Sequence, residues 1–396
     1  MLGNVGSIHQ RVRWMRKPEL VRVLAGSLLC LTAWGAGATA SFTPKSPKLD
    51  ARAYFLQDFT SGRILAEHNA DERLEPASLT KIMTSYVAFH ELAEGNINLN
   101  DETVVSEKAW RMRGSRMFIE VGTRVSIEGL LQGVIVQSGN DASVALAEHI
   151  AGSEEGFAAL MNDHARELGM VGTNFVNAEG LPHSDHYTTA RDMAILTRAL
   201  IARFPKRYLW HAQKEFTYNE IPQRNRNRLL WRDSSVDGVK TGYTKSAGYC
   251  LVTSAKRDDM RLISVVMGSK SAKRRTQQSQ ALLTYGFRFF ETHQVFAAKE
   301  PIQSVRVWEG ATRMLGLGLA EDLYVTVPRG AYKRLKTEIA LTPRLMAPVQ
   351  AGSAQGVLKL MLGNEALHTR DIVALQSVAK GSLWQRISDK VRSLLE

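Results

Sequence analysis

Ser78 and Lys81 stand three residues apart in the stretch Pro76-Ala77-Ser78-Leu79-Thr80-Lys81, which reads as the start of a helix. Residues i and i+3 share a helix face, so a hydroxyl and an amine so placed can meet. A serine hydroxyl is a useful nucleophile only when a base takes its proton. Lys81 can be that base only when neutral. A free lysine titrates near ~10.4, so neutrality at pH 7 costs about 4.6 kcal/mol. Burial and a neighbouring cation lower a lysine pKa by that order, and the positive end of a helix adds to the effect. The pair therefore calls for a second cation close by in space. A capped, solvated helix start is the plain alternative.

The spacing alone is cheap: Ser377 and Lys380 repeat it near the C-terminus, with no supporting motif after them. Two further elements support the first match. Ser138-Gly139-Asn140 lies sixty residues on, between two helical patterns, and Lys240-Thr241-Gly242 lies 102 residues beyond that, in a strand pattern. Together they supply the parts of acyl transfer. Ser138 can relay a proton to a leaving amine. Asn140 can hydrogen-bond a substrate amide. Lys240 is a second cation, able to depress Lys81 or to hold a carboxylate, and Thr241 can bind that carboxylate too. Gly242 lets the strand backbone approach the substrate. Backbone N–H groups of Ser78 and Tyr243 can form an oxyanion hole.

The ordered set S-x-x-K, S-D-N, K-T-G is the signature of penicillin-binding proteins and class A β-lactamases, here with Gly139 at the centre of the second motif. The chain resembles the low-molecular-mass penicillin-binding proteins, specifically the serine D-alanyl-D-alanine carboxypeptidases of the bacterial envelope. The likeness runs through "PASLTKIMTSY", "QSGNDASVALAEHIAGS", "TTARDMA", "VDGVKTGYTKSAGYCLV", "RLISVVMGS" and "LLTYGFRFFE". It implies an α+β fold: a transpeptidase-like domain with a five-stranded sheet packed by helices, then a small all-β sandwich domain and a membrane-anchoring tail. It places the nucleophile on Ser78, the base on Lys81, the second-motif pair on Ser138 and Asn140, and the third motif on Lys240, Thr241 and Gly242. An arginine that meets the substrate carboxylate falls on Arg275 or its neighbour Arg274. Some relatives carry a histidine where this chain has Tyr243; the backbone role survives that change. Arg226 matches a loop near the site, or is simply a charged loop surface.

The implied reaction is removal of the terminal D-alanine from peptidoglycan pentapeptides through an acyl-enzyme on Ser78. β-Lactams, as mimics of the dipeptide, would acylate the same serine. The chemistry requires no metal and no cofactor.

Other elements must hold these residues. "AYFLQD" and "RILAEHN" flank "FTSG" and predict a hairpin. Pro76 to about Leu92 predicts a helix, with Pro76 suited to the first turn. Helices follow at Asp141–Ile150 and Glu154–Leu168, and at "TTARDMAILTRALIARF", with Thr188 or Thr189 as cap. "GYCLVTSA" and "RLISVVMG" predict a second hairpin, and Ser271–Glu291 a further helix. This gives a catalytic domain over 45–297. From 298 to 380, short alternating runs broken by Gly and Pro predict the β-sandwich.

The ends read differently. Arg11, Arg13, Arg16, Lys17 and Arg22 precede an apolar run, Val23–Trp34, and Ala38-Thr39-Ala40 is a small-x-small cleavage site. Residues 1–40 thus predict a secretory signal peptide; the family resemblance then implies a location at the periplasmic face of the bacterial inner membrane. Their removal leaves 46 basic and 38 acidic residues, a balance of +8 that suits anionic envelope partners, not nucleic acid. It also leaves a single cysteine, Cys250, in an apolar strand, so no internal disulfide is expected. In the tail, 381–396, Leu383, Trp384, Ile387, Val391, Leu394 and Leu395 share one helical face. Arg386, Lys390 and Arg392 line the other side. Such a segment is too short and polar to span a membrane and is expected to lie in its interface, unless it docks on the β-domain.

Rival chemistries are weaker. Class A β-lactamases use a glutamate to deacylate penicillin, and "RELGMVGTNFVN" lacks the Glu-x-x-x-Asn pattern, so a long-lived adduct is expected. His183 and His186 lack the i, i+4 helical spacing of a zinc peptidase and read as a surface loop. An inactive wall-binding scaffold is opposed by the intact motif side chains.

Overall fold

The computed structural model describes residues 45–393. The expected signal peptide and the apolar pair Leu394 and Leu395 lie outside these residues. Thr43–Val295 form one unit, which also takes in Tyr324–Gly330.

The unit is built on five strands: β1 (Ala53–Asp58), β2 (Ile64–His68), β3 (Val236–Thr244), β4 (Gly248–Arg257) and β5 (Met260–Ser269). Their order is β2-β1-β5-β4-β3, all neighbours antiparallel, which is the predicted five-stranded sheet with both hairpins. The central strand β5 explains its own sequence. Ile263, Val265 and Met267 face one apolar core and Leu262 and Val266 the other. A strand covered on both faces needs apolar residues at successive positions.

One core holds the helices α1 (Thr80–Glu94), α2 (Asn140–Ala151), α3 (Glu154–Glu167) and α4 (Ala190–Arg203). The other is covered by α5 (Ala272–Phe289), through Leu282, Leu283, Tyr285 and Phe287. Helix starts follow their caps: Ser153 Oγ accepts Gly156 N, Ser271 Oγ accepts Arg274 N, and Thr189, not Thr188, caps α4 through Asp192 N. Gly95, at φ 77°, closes α1 in the left-handed conformation that glycine adopts without steric cost.

The second unit comprises Phe296–Leu323 and Ala331–Glu396 and is all-β apart from a short 3-10 turn and its last helix. Its strands Leu335–Leu341, Ala354–Leu362, Glu365–Ala374, Met314–Gly318, Pro301–Trp308 and Leu345–Met346 are hydrogen-bonded in that one order. The stretch beyond 298 is not contiguous in space, however. Leu323–Pro328 pairs with Phe290–Phe296, so Tyr324–Gly330 belongs with the first unit. An alternating pattern identifies a strand but not its partner.

The tail forms α6 (Leu383–Ser393). It is held to its own unit by polar groups: Asp389, 6% exposed, accepts Arg306 Nη2 at 2.7 Å and Glu309 N at 2.8 Å. Its apolar residues face out, with Leu383 72%, Trp384 83%, Ile387 53% and Val391 54% exposed. A helix docked by hydrophobic burial would do the reverse.

Candidate active site

Ser78 sits in a 3-10 turn, Ala77–Leu79, that runs directly into α1. The sequence predicts one continuous helix from Pro76; the structure tightens its first turn. Ala77, just before the nucleophile, has φ 50°, a conformation that costs a non-glycine residue about 1–2 kcal/mol. Two glycines hold the turn there. Gly180 has φ 88°, and a Cβ on it would fall on the Ala77 carbonyl. On Gly242 a Cβ would lie 3.1 Å from the Pro76 oxygen and 3.2 Å from Ala77 Cβ. The bare backbone of Gly242 therefore serves the packing of β3 on the nucleophile turn; the expected close approach is to that turn.

Lys81 lies one turn into α1 and is 1% exposed. Its Nζ donates to Asn140 Oδ1 at 2.7 Å and to the Glu179 carbonyl at 2.6 Å, and lies 3.3 Å from Ser78 Oγ. A neutral amine has two hydrogens and one lone pair. With both hydrogens held by the two short contacts, the lone pair is left for the Ser78 hydroxyl. Burial draws the Lys81 pKa down to about 7; the Glu179 and Asp141 carboxylates pull it up, and the Arg226 guanidinium pushes it down. Burial thus does most of what the sequence argument assigned to a second cation.

Lys240 and Thr241 come from β3, the edge strand. Lys240 is buried, its Nζ donating to the Thr241 carbonyl at 3.1 Å. Burial holds it well below the ordinary lysine range, with further depression from the charges of Lys81, Arg226 and Arg275. The two lysines thus share one electrostatic site. Arg226 is exposed yet acts on both, which places this loop beside the site.

Ser138 and Asn140 flank the start of α2. The helix before them opens into a π-turn, Gly133–Gln137, and Ser138 follows at φ 65°. π-Turns often mark functional sites. Ser138 is buried, and its hydroxyl makes no hydrogen bond among the described residues. Asn140 is fully engaged: Oδ1 on Lys81, and Nδ2 donating to the Arg113 carbonyl at 2.6 Å. It holds the base in place here, and the expected contact with a substrate amide requires Nδ2 to leave Arg113. Asp141, not singled out from the sequence, accepts the amides of Met117, Phe118 and Ile119 at 3.0, 2.9 and 3.3 Å. It fixes one wall of the site.

Arg275 projects from α5, its Nη1 donating to the Gly242 carbonyl at 2.9 Å and the Cys250 carbonyl at 3.3 Å. Arg274 instead turns to exposed Asp50 at 2.6 Å. Of the two neighbours left open by the sequence, Arg275 is the one brought to the Gly242 backbone. Tyr243, 53% exposed, stacks on Tyr249 with centroids 4.2 Å apart. Cys250 is a core residue; burial pushes its thiol up to about 11.

A buried carboxyl pair lies next to Lys81. Glu179 is 3% exposed; burial first, then Glu154, raises it to about 8. Glu154, at the start of α3, accepts Ala178 N at 3.2 Å and pairs with Lys108 at 2.9 Å. No sequence signal marks Glu179, because its contact with Lys81 is made by the backbone. His186 corrects another reading: it is 1% exposed, not on a surface loop, and its Nε2 lies 2.8 Å from Thr80 Oγ1 in the turn beside Lys81. Ser377 and Lys380 are both exposed in an extended segment, with Ser377 Oγ accepting Ala351 N. That second S-x-x-K has no catalytic setting.

A hydroxyl beside a buried amine able to be neutral, a free second hydroxyl, a buried lysine on an edge strand and a buried arginine on the helix beside it suit acyl transfer to serine from a substrate with a carboxylate. Family comparison agrees. Residues 40–271 match the D-alanyl-D-alanine carboxypeptidase family, and residues 290–380 match the penicillin-binding protein 5 C-terminal domain. The chain is 45% identical to D-alanyl-D-alanine carboxypeptidase DacC of Escherichia coli over 94% of its own length and 96% of that protein. The crystal structure of penicillin binding protein 5 from Haemophilus influenzae matches with TM-score 0.82 and 40% identity, over 85% of this chain and 100% of that one. Ampicillin-bound penicillin-binding protein D2 from Listeria monocytogenes matches with TM-score 0.57 and 27% identity, over 62% of this chain and 100% of that one.

Proposed function

The chain belongs to the D-alanyl-D-alanine carboxypeptidase family, and from that premise we infer how its own residues carry the reaction. It is a serine-type D-alanyl-D-alanine carboxypeptidase and a penicillin-binding protein. Ser78 is the nucleophile. Neutral Lys81 takes its proton as Oγ attacks the carbonyl between two D-alanines. The oxyanion is met by the N–H groups of Ser78 and Tyr243. Ser138 passes the proton to the departing amine, and terminal D-alanine leaves. Water then attacks the ester with Lys81 again the base, which restores Ser78. Lys240, Thr241 and Arg275 hold the substrate carboxylate, and Asn140 the base and the substrate amide. The observation that carries this assignment is Lys81 Nζ, pinned by two carbonyl oxygens and facing Ser78 Oγ at 3.3 Å.

The test is mass analysis of a pentapeptide muropeptide after incubation: loss of one alanine with the native chain, and none with Ser78→Ala. Equal loss with both proteins rejects the assignment.

The substrate lies in the wall, so residues 1–40 act as an export signal and the protein works at the periplasmic face of the inner membrane. Among the described residues no helix is long and apolar enough to cross a membrane. The outward apolar face of α6, with the helix fixed by Asp389, supports a peripheral anchor in the lipid interface. The segment 45–297, joined by Tyr324–Gly330, is then the catalytic domain, the rest of 298–380 the β-domain, and 381–396 the anchor.

A further inference from the structure

Helices α1 and α3 pack side by side in the apolar core, and their N-terminal ends carry Lys81 and Glu154. Their C-terminal ends meet at a second group of polar side chains that the reaction does not use. His90 and His164 face each other there with ring centroids 4.6 Å apart. His90 Nδ1 and His164 Nδ1 are both buried and make no hydrogen bond among the described residues. Carboxylates stand beside them: Glu91 Oε1 is 3.7 Å from His90 Nδ1, and Glu167 Oε2 is 3.3 Å from His164 Nδ1. One donor atom each from His90, Glu91 and His164 falls within 4.8 Å of the others.

Two buried imidazole nitrogens that stand beside carboxylates yet make no well-formed hydrogen bond are costly to keep. A cation among them removes that cost. We propose that His90, Glu91 and His164, with Glu167 as a fourth donor, form a binding site for a divalent transition-metal ion of the zinc class, separate from the catalytic centre. The donor set supports the choice: imidazole and carboxylate suit Zn2+, while Mg2+ and Ca2+ prefer oxygen alone. Zn–N and Zn–O bonds of about 2.1 Å place tetrahedral donors about 3.4 Å apart, so modest side-chain rotation contracts the cluster. Glu91 is already oriented, since its Oε2 accepts Asn96 Nδ2 at 2.7 Å. Outer partners of this kind are typical of metal carboxylates. Arg203 donates to the hydroxyl of Tyr86, whose ring packs edge-on against His164, and is engaged there at 2.6 Å. His164 is 7% exposed, so its ring is offered to the cluster and not to solvent.

The ion would clip together the ends of α1 and α3 farthest from Ser78. Nine residues separate Lys81 from His90, about 14 Å along the helix. It therefore stabilises the scaffold and takes no part in acyl transfer.

The test is titration of the chelator-treated full chain with Co2+ and then Zn2+, following the visible Co2+ spectrum, calorimetric stoichiometry and melting temperature. One ion is expected to bind, with a tetrahedral Co2+ band displaced by Zn2+ and a melting temperature raised by about 2–6 °C. His90→Gln and Glu91→Gln should each weaken binding at least about 10-fold and leave penicillin acylation without metal unchanged. His164→Gln should do the same. Should that variant fail to fold, His90, whose side chain is 33% exposed, still decides the matter. Absence of binding, or binding that His90→Gln and Glu91→Gln leave intact, overturns the proposal.

Discussion

The main-chain carbonyl of Glu179 accepts Lys81 Nζ at 2.6 Å, while the side chain of the same glutamate turns to Glu154 and stays buried. One residue thus both positions the base and sets a carboxyl group beside it. The first prediction concerns that carboxyl group.

Glu179 is raised to about 8 in the folded chain from an ordinary 4.5. The folded state therefore binds the extra proton, and the stability this confers is full below pH 4.5 and lost as pH rises through about 8. Glu179→Gln removes that loss. Its melting temperature should match the native chain at pH 4 and exceed it at pH 8, while acylation by penicillin at pH 7 changes less than about 3-fold. A variant that melts lower at pH 8 contradicts the assignment.

The acylation rate should itself rise with pH through about 7, as Lys81 becomes the neutral base. Stopped-flow acylation across pH 5–9 measures this, and a rate falling over that range would oppose a lysine base.

Gly180→Ala should disrupt the nucleophile turn, because the new Cβ meets the Ala77 carbonyl at a φ of 88°. A stability loss of about 2–3 kcal/mol and a large fall in acylation are expected. Gly242→Ala, whose nearest contact is 3.1 Å, should be milder. Urea unfolding and acylation kinetics compare the two; the reverse order would refute this account of the turn.

Arg275→Ala should raise KM for peptides with a free C-terminal carboxylate, and less so for their amides. Arg274→Ala, whose partner is exposed Asp50, should leave KM within about 2-fold, as solvated ion pairs contribute little. Steady-state kinetics on both variants separates the neighbours.

Deleting 381–396, or converting Trp384 and Ile387 to Glu, should abolish binding to anionic vesicles in a flotation assay and leave D-alanine release intact. Vesicle binding by the deleted form would locate the membrane contact elsewhere.

The motifs were legible because the roles proposed for them belong to side chains, whose type and order are read directly from the sequence. The five-stranded sheet was legible in the doubly apolar β5 and its two hairpins, and the tail in its amphipathic period. What stayed hidden acts through the backbone or through distant partners. The Ala77 turn depends on Gly180, a hundred residues away. Glu179 reaches Lys81 through a carbonyl that any residue possesses. His186 and Asp141 bind loop atoms that no periodic pattern predicts. Tyr324–Gly330 reads as a strand of the β-domain because alternation does not name a partner.

The most direct measurement is intact-mass and peptide mapping of the protein after exposure to penicillin. One adduct of the antibiotic's full mass should appear, confined to the peptide carrying Ser78 and absent from Ser78→Ala. An adduct on another residue, Ser377 included, or one that persists in Ser78→Ala, would contradict the account.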